Sequence, residues 1–466
     1  MKNKFVFAGL VAVGAAGLQS AMAEGADLVS PKFWNVSASL RGFYDDNYNI
    51  ANTASIKKGS AGGEFEPTLS INQPFRQTDI SLRYTYGLYY YQDRQDANVN
   101  AFDQTHQLDV WLDHALNERW KANVRDTFSV GEMPELITPN TGTTYRIKGD
   151  NISNHATTSL DTDWTRLLNT SLHYGNGYFD YQQGDSAVAD LLPLGPTFTL
   201  LNKPVGGVFT AGGTTAGTGK SAGNYAGTLN RVEQSVGLDV KWNVQSETVA
   251  FVGYEFSWVN YIANDPIAAY RPNLASPSYF IFHSADRDNV SHYAYLGVEH
   301  SFTPNLSGTV RGGASFTDSY NDPLNPSTSF APYADVSISY TYSQGSYAQL
   351  GFTHDINATD VATVSSSGHL TQYTESSVVY ASINHRFTPD FSGSVVGRCQ
   401  YSTYVGGTAD NQTDEDYSLG VNLRYQINRH FSVETGYNYD DLIATSVLAG
   451  RSYQRNRVYL GLGANF

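Results

Sequence analysis

The sequence predicts an all-β fold: a single transmembrane, antiparallel, up-and-down β-barrel of about 18 strands, within a range of 16–18. Three observations carry the prediction. Apolar and polar residues alternate with a period of two after residue 30. Short turns alternate with long polar stretches from one end of the chain to the other. The last segment alternates as well and ends on Phe466.

Composition excludes the main competitors. Charged residues make up 16% of the 466-residue chain, against about a quarter in soluble domains. At 41% hydrophobic and 13% aromatic, with 33 Tyr, the chain is too apolar for disorder. One Cys rules out an intrachain disulfide framework. A formal charge of −15 and a pI near 5.1 argue against nucleic acid as a partner.

At the N-terminus, Lys2 and Lys4 precede an apolar run from Phe5 to Leu18, followed by Ala21-Met22-Ala23. A basic start, a short apolar core and small residues flanking a cleavage point describe an export signal. The run is shorter than the ~20 residues a spanning helix needs. Residues 1–23 are therefore expected to be a cleaved signal peptide and 24–466 the barrel, exported through the periplasm to the outer membrane. No later apolar stretch reaches 18 residues, so spanning helices are not expected.

Along the barrel, Ala294, Leu296, Val298, His300 and Phe302 alternate with Tyr293, Tyr295, Gly297, Glu299 and Ser301. In the last segment Val458, Leu460, Leu462, Ala464 and Phe466 alternate with Arg457, Tyr459, Gly461, Gly463 and Asn465. A strand–turn–strand unit recurs: residues 295–316 and 380–401 share Tyr, His, Phe-Thr-Pro, Ser-Gly and Val in step, with a looser copy at 419–439. Its turns are Thr303-Pro304-Asn305, Thr388-Pro389-Asp390 and Asn428-Arg429-His430, in which Pro presets φ and Asn or Asp closes the reversal. Other short turns fall near Gln73-Pro74, Asn117-Glu118, Arg166-Leu167, Asn243-Val244 and Ser343-Gln344-Gly345. Long polar loops separate the hairpins, the longest near 184–229. The segments around 156–183 and 245–260 alternate poorly. Short turns on one side and long loops on the other mark the periplasmic and extracellular ends. An even strand number leaves both termini on the periplasmic side.

Hydrocarbon offers backbone N–H and C=O groups no partner, so a sheet in lipid must close on itself. Closure should pair the first strand, near Val36 to Tyr44, with the last, near Arg457 to Phe466. One face then meets lipid and the other a lumen, which accounts for a mean hydropathy of only −0.35. At ~18 strands side chains cannot fill the interior, and a water-filled channel is expected.

The run from Val458 to Phe466 resembles the C-terminal assembly signal of bacterial outer-membrane proteins, with Tyr459, Leu462 and Phe466 at its marked positions. The mature chain resembles the β-barrel porins of Gram-negative envelopes. That resemblance implies passive diffusion of small hydrophilic solutes, insertion by the barrel-assembly machinery, and contact with outer-membrane lipid and lipopolysaccharide. It also suggests a homotrimer, though nothing in the sequence marks a trimer face. An envelope-polysaccharide or other export barrel, and an adhesion or structural barrel, are the alternatives.

The face opposite the apolar set supplies pore-lining candidates. Basic ones are Arg41, Arg311, Arg386, Arg398, Arg424 and Arg457; all but Arg311 fall on the last five strands or the first. Acidic ones are Glu66, Asp109, Asp113, Asp161, Asp163, Asp239, Glu299 and Asp335, mostly on the other wall. Opposed walls would orient dipolar solutes; the same charges could equally pair and solvate one another. The 184–229 loop is the candidate to fold inward and narrow the pore, as in general porins.

No catalytic residues, cofactor or metal site are expected. Gly217-Thr218-Gly219-Lys220-Ser221 lacks the earlier Gly of a phosphate loop, and HExxH and CxxC do not occur. The stretch Asp410 to Asp416 is oxygen-rich but has no calcium-loop spacing, and reads as a solvated loop. His300 and His385 recur as repeat positions, and Cys399 matches Ala314 on the lipid side.

Overall fold

The computed structural model describes residues 33–52, 57–94, 100–131, 150–182, 199–200, 220–221, 226–262, 264–270, 278–445, 448 and 451–466. The expected signal peptide, 1–23, lies outside them.

Eighteen long strands form one sheet. The first six are β1 (Trp34–Asp45), β2 (Ser60–Pro74), β3 (Thr78–Tyr91), β4 (Phe102–Ala115), β5 (Trp120–Gly131) and β6 (Asp150–Asp163). The next six are β7 (Leu168–Gln182), β8 (Arg231–Gln245), β9 (Thr248–Tyr261), β10 (Asn289–Thr303), β11 (Leu306–Ser319) and β12 (Ser327–Ser343). The last are β13 (Ser346–Asn357), β14 (Tyr373–Thr388), β15 (Phe391–Val405), β16 (Thr413–Gln426), β17 (Phe431–Ala444) and β18 (Tyr453–Asn465). Each pairs antiparallel with its sequence neighbours, and β1 closes on β18 from Ser37↔Asn465 to Asp45↔Arg457. The expected strand number and closure are both observed.

Every periplasmic connection is a short turn, including 304–305, 344–345 and 389–390. Two turns sit slightly later than the sequence suggests. Pro74 still pairs with Asp79, and a bulge between Asn243 and Gln245 carries β8 two residues further. Gly345 takes φ +76, a left-handed conformation that suits Gly in its two-residue turn.

Register assigns the two faces, because paired residues share a side. Leu40 pairs with Phe65 and Leu462, and these point outward with Leu460 at 58%, 43%, 59% and 63% exposed. Arg41 pairs with Glu64 and Gly461, and these point inward. The repeat is visible in space: His300 stacks edge-on against Phe302, and His385 against Phe387, each at 4.6 Å. Cys399 is exposed on the outer face, in register with Val379.

Above the barrel, the loop after β9 forms a hairpin, Pro266–Tyr270 with Ser278–His283, joined by the short pieces Thr199–Leu200 and Lys220–Ser221. Ile267, Ala268, Phe280 and Phe282 pack with Ala362, Val364 and Leu370 of the loop after β13. Below this, Val361 meets Tyr404, Ala409, Ala444 and Leu448. Several extracellular loops are thus knitted into one cap over the β9–β18 side of the mouth.

Candidate functional site: the lumen wall and its cap

Strand alternation delivers one side chain in two to the lumen, and on the wall formed by β17, β18, β1 and β2 these are ions. The Arg41 guanidinium donates to Glu64 and to Glu434, and Glu66 lies 3.9 Å away. Arg457 donates to the second oxygen of Glu64 at 3.1 Å and lies 4.1 Å over the Phe43 ring. One turn of register higher, Arg455 donates to Asp45 at 2.6 Å. Tyr459, expected as part of the assembly signal, faces this cluster: it lies under Arg41 and bonds the Asn422 amide at 2.7 Å. Leu462 and Phe466 are on the outer side, where Phe466 stacks on His430 at 5.4 Å.

Most of the other expected lining residues are engaged with neighbouring groups around the wall. Arg398 donates to Asp416 at 3.1 Å and to Gln400, all buried. Asp109 accepts from Arg83 at 3.0 Å, Asp113 from Arg125 at 2.5 Å and Asp161 from Asn123 at 2.8 Å; Asp163 stands 4.0 Å from Lys121. Asp239 accepts the Tyr295 hydroxyl at 2.7 Å, in a cluster where Tyr293 and Tyr295 pack on Tyr333. Arg386 donates to the Pro389 carbonyl at the periplasmic turn, at 2.8 Å. Glu299 lies toward the periplasmic end of β10, and Asp335 pairs in register with Arg311.

Arg311 and Arg424 differ from the rest. Neither forms an ion pair or hydrogen bond with a described residue, and the Nε of each is buried without a partner. Arg311 lies over the Phe251 and Tyr295 rings at 5.3 and 5.9 Å. These two guanidinium groups keep unused donors.

The wall expected to be basic is therefore a lattice of ion pairs, because Asp45, Glu64, Asp416 and Glu434 stand among its arginines. The period-two pattern that selects Glu66 also selects Glu64, and the one that selects Arg457 also selects Arg455. What sequence could not supply was which cation each carboxylate would reach. Asp414 and Asp416, expected in a solvated loop, belong to β16, and Asp414 accepts from Tyr404 at 2.5 Å and Arg451 at 3.2 Å.

The loop expected to narrow the pore, 184–229, lies largely outside the described residues. A different set of loops reaches the mouth. Tyr48, after β1, packs against Phe43, Tyr91 and Tyr459. Arg287, fully buried, donates to the carbonyls of Thr359 and Gln372 at 2.7 and 3.2 Å and lies 5.0 Å over Tyr261. Arg451 bridges Asp360 at 2.7 Å and Asp414. The apolar run Tyr279-Phe280-Ile281-Phe282 within a polar loop was the available sequence signal for this cap. Burial, with the charges of Asp322 and Asp288 nearby, pushes the Asp286 carboxyl up to about 6, against the backbone N–H of His283 that bonds it. The Arg451 pKa is raised as well, which here favours the charged form: burial works against its charge, and Asp360, Tyr404 and Asp414 together outweigh it.

Solved outer-membrane proteins align over nearly the whole chain at low identity. OpdK of Pseudomonas aeruginosa shares 9% identity over 93% of this chain and 99% of its own, with a TM-score of 0.42. OccAB4 of Acinetobacter baumannii shares 9% over 94% and 100%, with a TM-score of 0.40. OccAB2 of the same organism shares 7% over 93% and 98%, with a TM-score of 0.42. No curated protein matches the sequence. Residues 230–466, just over half of the chain, match the family described as "Putative beta-barrel porin 2", and the chain belongs to that family.

Proposed function

We propose that this porin-like outer-membrane channel passes small hydrophilic solutes by passive diffusion, with no chemical step. The observation that carries the reading is the lumen face. Along all 18 strands the inward register holds ions, hydroxyls, amides and tyrosines, whereas the outward register is dominated by apolar side chains. In a closed sheet of this strand number that inner surface borders water. Arg311 and Arg424 are the groups that would meet the anionic part of a solute, since the other lining arginines are already engaged. Export through the periplasm and insertion by the barrel-assembly machinery belong to the same reading, as does contact with outer-membrane lipid and lipopolysaccharide.

Liposome swelling with sugars of graded size tests it. Entry that falls off with solute radius is the expected result. Liposomes that stay impermeable to the smallest sugar would exclude diffusion and favour the export or adhesion barrel. The tyrosines at 293, 295 and 333 give the polysaccharide-export alternative its one specific support, because aromatic walls suit sugar rings.

A further inference from the structure

The outer belt is apolar at mid-height on most of its circumference, but not on β5–β8. Register places Asp126, Asn154, Asn176 and Gln234 on the outer face: Asp126 shares a side with Phe128, and the row Asp126–Ala156–Asn176–Gln234 runs across four adjacent strands. Asp126 is six residues above Trp120, itself beside Trp164 at the periplasmic rim. At ~3.3 Å per residue and a tilt near 40°, that is about 15 Å up a belt of ~25 Å. Among the described residues, the other outward carboxylates lie near the extracellular strand ends, as Asp318, Glu375, Glu415 and Asp441 do. Asn154 donates to Asp126 at 2.7 Å, whereas Asn176 and Gln234 make no side-chain hydrogen bond with a described residue.

Hydrocarbon is a poor solvent for such a patch, since each unpaired polar group there costs free energy that nothing repays. We propose that this face is covered by the same face of a second copy of the chain, related by a two-fold axis along the membrane normal. Three points select that occupant. The chemistry is self-complementary: Asp126 only accepts and has oxygen lone pairs left, while Asn176 and Gln234 offer unused N–H donors. An isologous contact lets the carboxylate of one copy meet the amides of the other. A three-fold ring would instead press the patch against a different surface. Elsewhere on the described outer face the polar side chains between the rims already have partners: His106 bonds Tyr84 at 2.8 Å, His292 bonds Tyr254 at 2.7 Å, His354 bonds Ser377 at 2.8 Å and Thr435 donates to the Tyr459 carbonyl at 2.8 Å. The size comes close to what such a contact needs. Four strands ~4.8 Å apart across a ~25 Å belt give roughly 480 Å2 per copy, about 960 Å2 in the pair, near the ~1,000 Å2 at which specific interfaces begin. Both copies enter the membrane in one orientation, so equal depths face each other across the axis.

The test is thiol cross-linking in intact outer membranes. On a Cys399→Ser background, Thr158→Cys lies in the patch and Leu460→Cys lies on the wall around the closing strands. A short bismaleimide should convert Thr158→Cys to a species of twice the chain mass and leave Leu460→Cys monomeric. Adding Asp126→Leu with Asn176→Leu should lower the Thr158→Cys dimer yield about tenfold or more while the barrel folds normally, as its shifted mobility on unheated gels reports. A monomer throughout, a three-fold species, or an adduct of any other mass from Thr158→Cys would overturn the proposal. So would a dimer yield unchanged by the leucines. Single-channel conductance of the leucine variant is expected to be unaltered, so this result and the solute-diffusion reading stand or fall separately.

Discussion

Two arcs of the barrel obey the same backbone rules and differ in what their outer faces touch. On the arc where β16–β18 close on β1, the outward residues near mid-height are mostly apolar, as Leu40, Leu419, Leu460 and Leu462 show, and the inward Arg41, Glu64, Glu434 and Arg457 are paired. On β5–β8 the inner side is polar too, but the outer side carries Asp126, Asn154 and Asn176. Alternation is strict where the sheet separates one apolar solvent from one aqueous one, and it blurs where the outer face serves something besides lipid.

The comparison breaks most sharply at the closing arc. Arg41→Ala would leave Glu64, Glu66 and Glu434 crowded without their shared cation. Removing one partner from a buried ion cluster costs about 4 kcal/mol, so the urea midpoint of the barrel refolded in liposomes should drop strongly. A second replacement, Glu64→Gln with Arg41→Ala, should recover part of the loss.

Next in size is a charge placed on the lipid side. Leu460→Arg puts a guanidinium into the apolar belt and should cost ~2–4 kcal/mol in the same unfolding measurement. Ala156→Arg, paired in register with Asp126, should cost under about 1 kcal/mol, because a carboxylate and amides stand beside it. Equal costs at the two positions would erase the distinction between the arcs.

A smaller effect separates the engaged from the free arginines. Arg424→Glu should fold like the parent and shift the reversal potential in a salt gradient toward cation preference, read in planar bilayers. Arg398→Glu would set a second carboxylate against buried Asp416, and should lose folded barrel before any selectivity can be read. An unchanged reversal potential for Arg424→Glu would remove this residue from the conducting wall.

Legibility from sequence follows the same division. The strand number, the alternation of turns with loops, and the faces of β10, β11, β14, β15 and β18 were readable because lipid on one side and water on the other impose period two. The stretch 156–183 alternates poorly in sequence for a reason now visible: Thr158, Asn176 and Asp180 occupy outward positions that lipid would fill with apolar residues. The stretch 245–260 blurs in the opposite sense, since Val249, Phe251 and Val259 point inward and Phe251 packs beneath Tyr293 and Tyr295. In the lumen, parity identified the lining but not the partners: Arg41 reaches Glu434 across 393 residues of sequence, a contact created only when the cylinder closes.

The mildest expected effect is in the cap, where a paired and an unpaired region meet. Arg451, between Asp360 and Asp414, stays charged throughout the accessible range. Asp286 has no such cation: Asp322 and Asp288 raise it, and its neighbour Arg287 is committed to backbone carbonyls. Its ordinary value of 3.8 rises to about 6 in the closed cap, so between these values the closed state holds a proton that an opened loop releases. Stability of the cap therefore falls as pH rises from about 4 through about 6, and little of this contribution remains near pH 7. Hydrogen exchange over residues 278–288, corrected for the intrinsic rate, should show protection declining across that window. Asp286→Asn should flatten the decline and leave protection around Arg451 unchanged. A profile as steep in the variant as in the parent would assign the titration to another group in the cap.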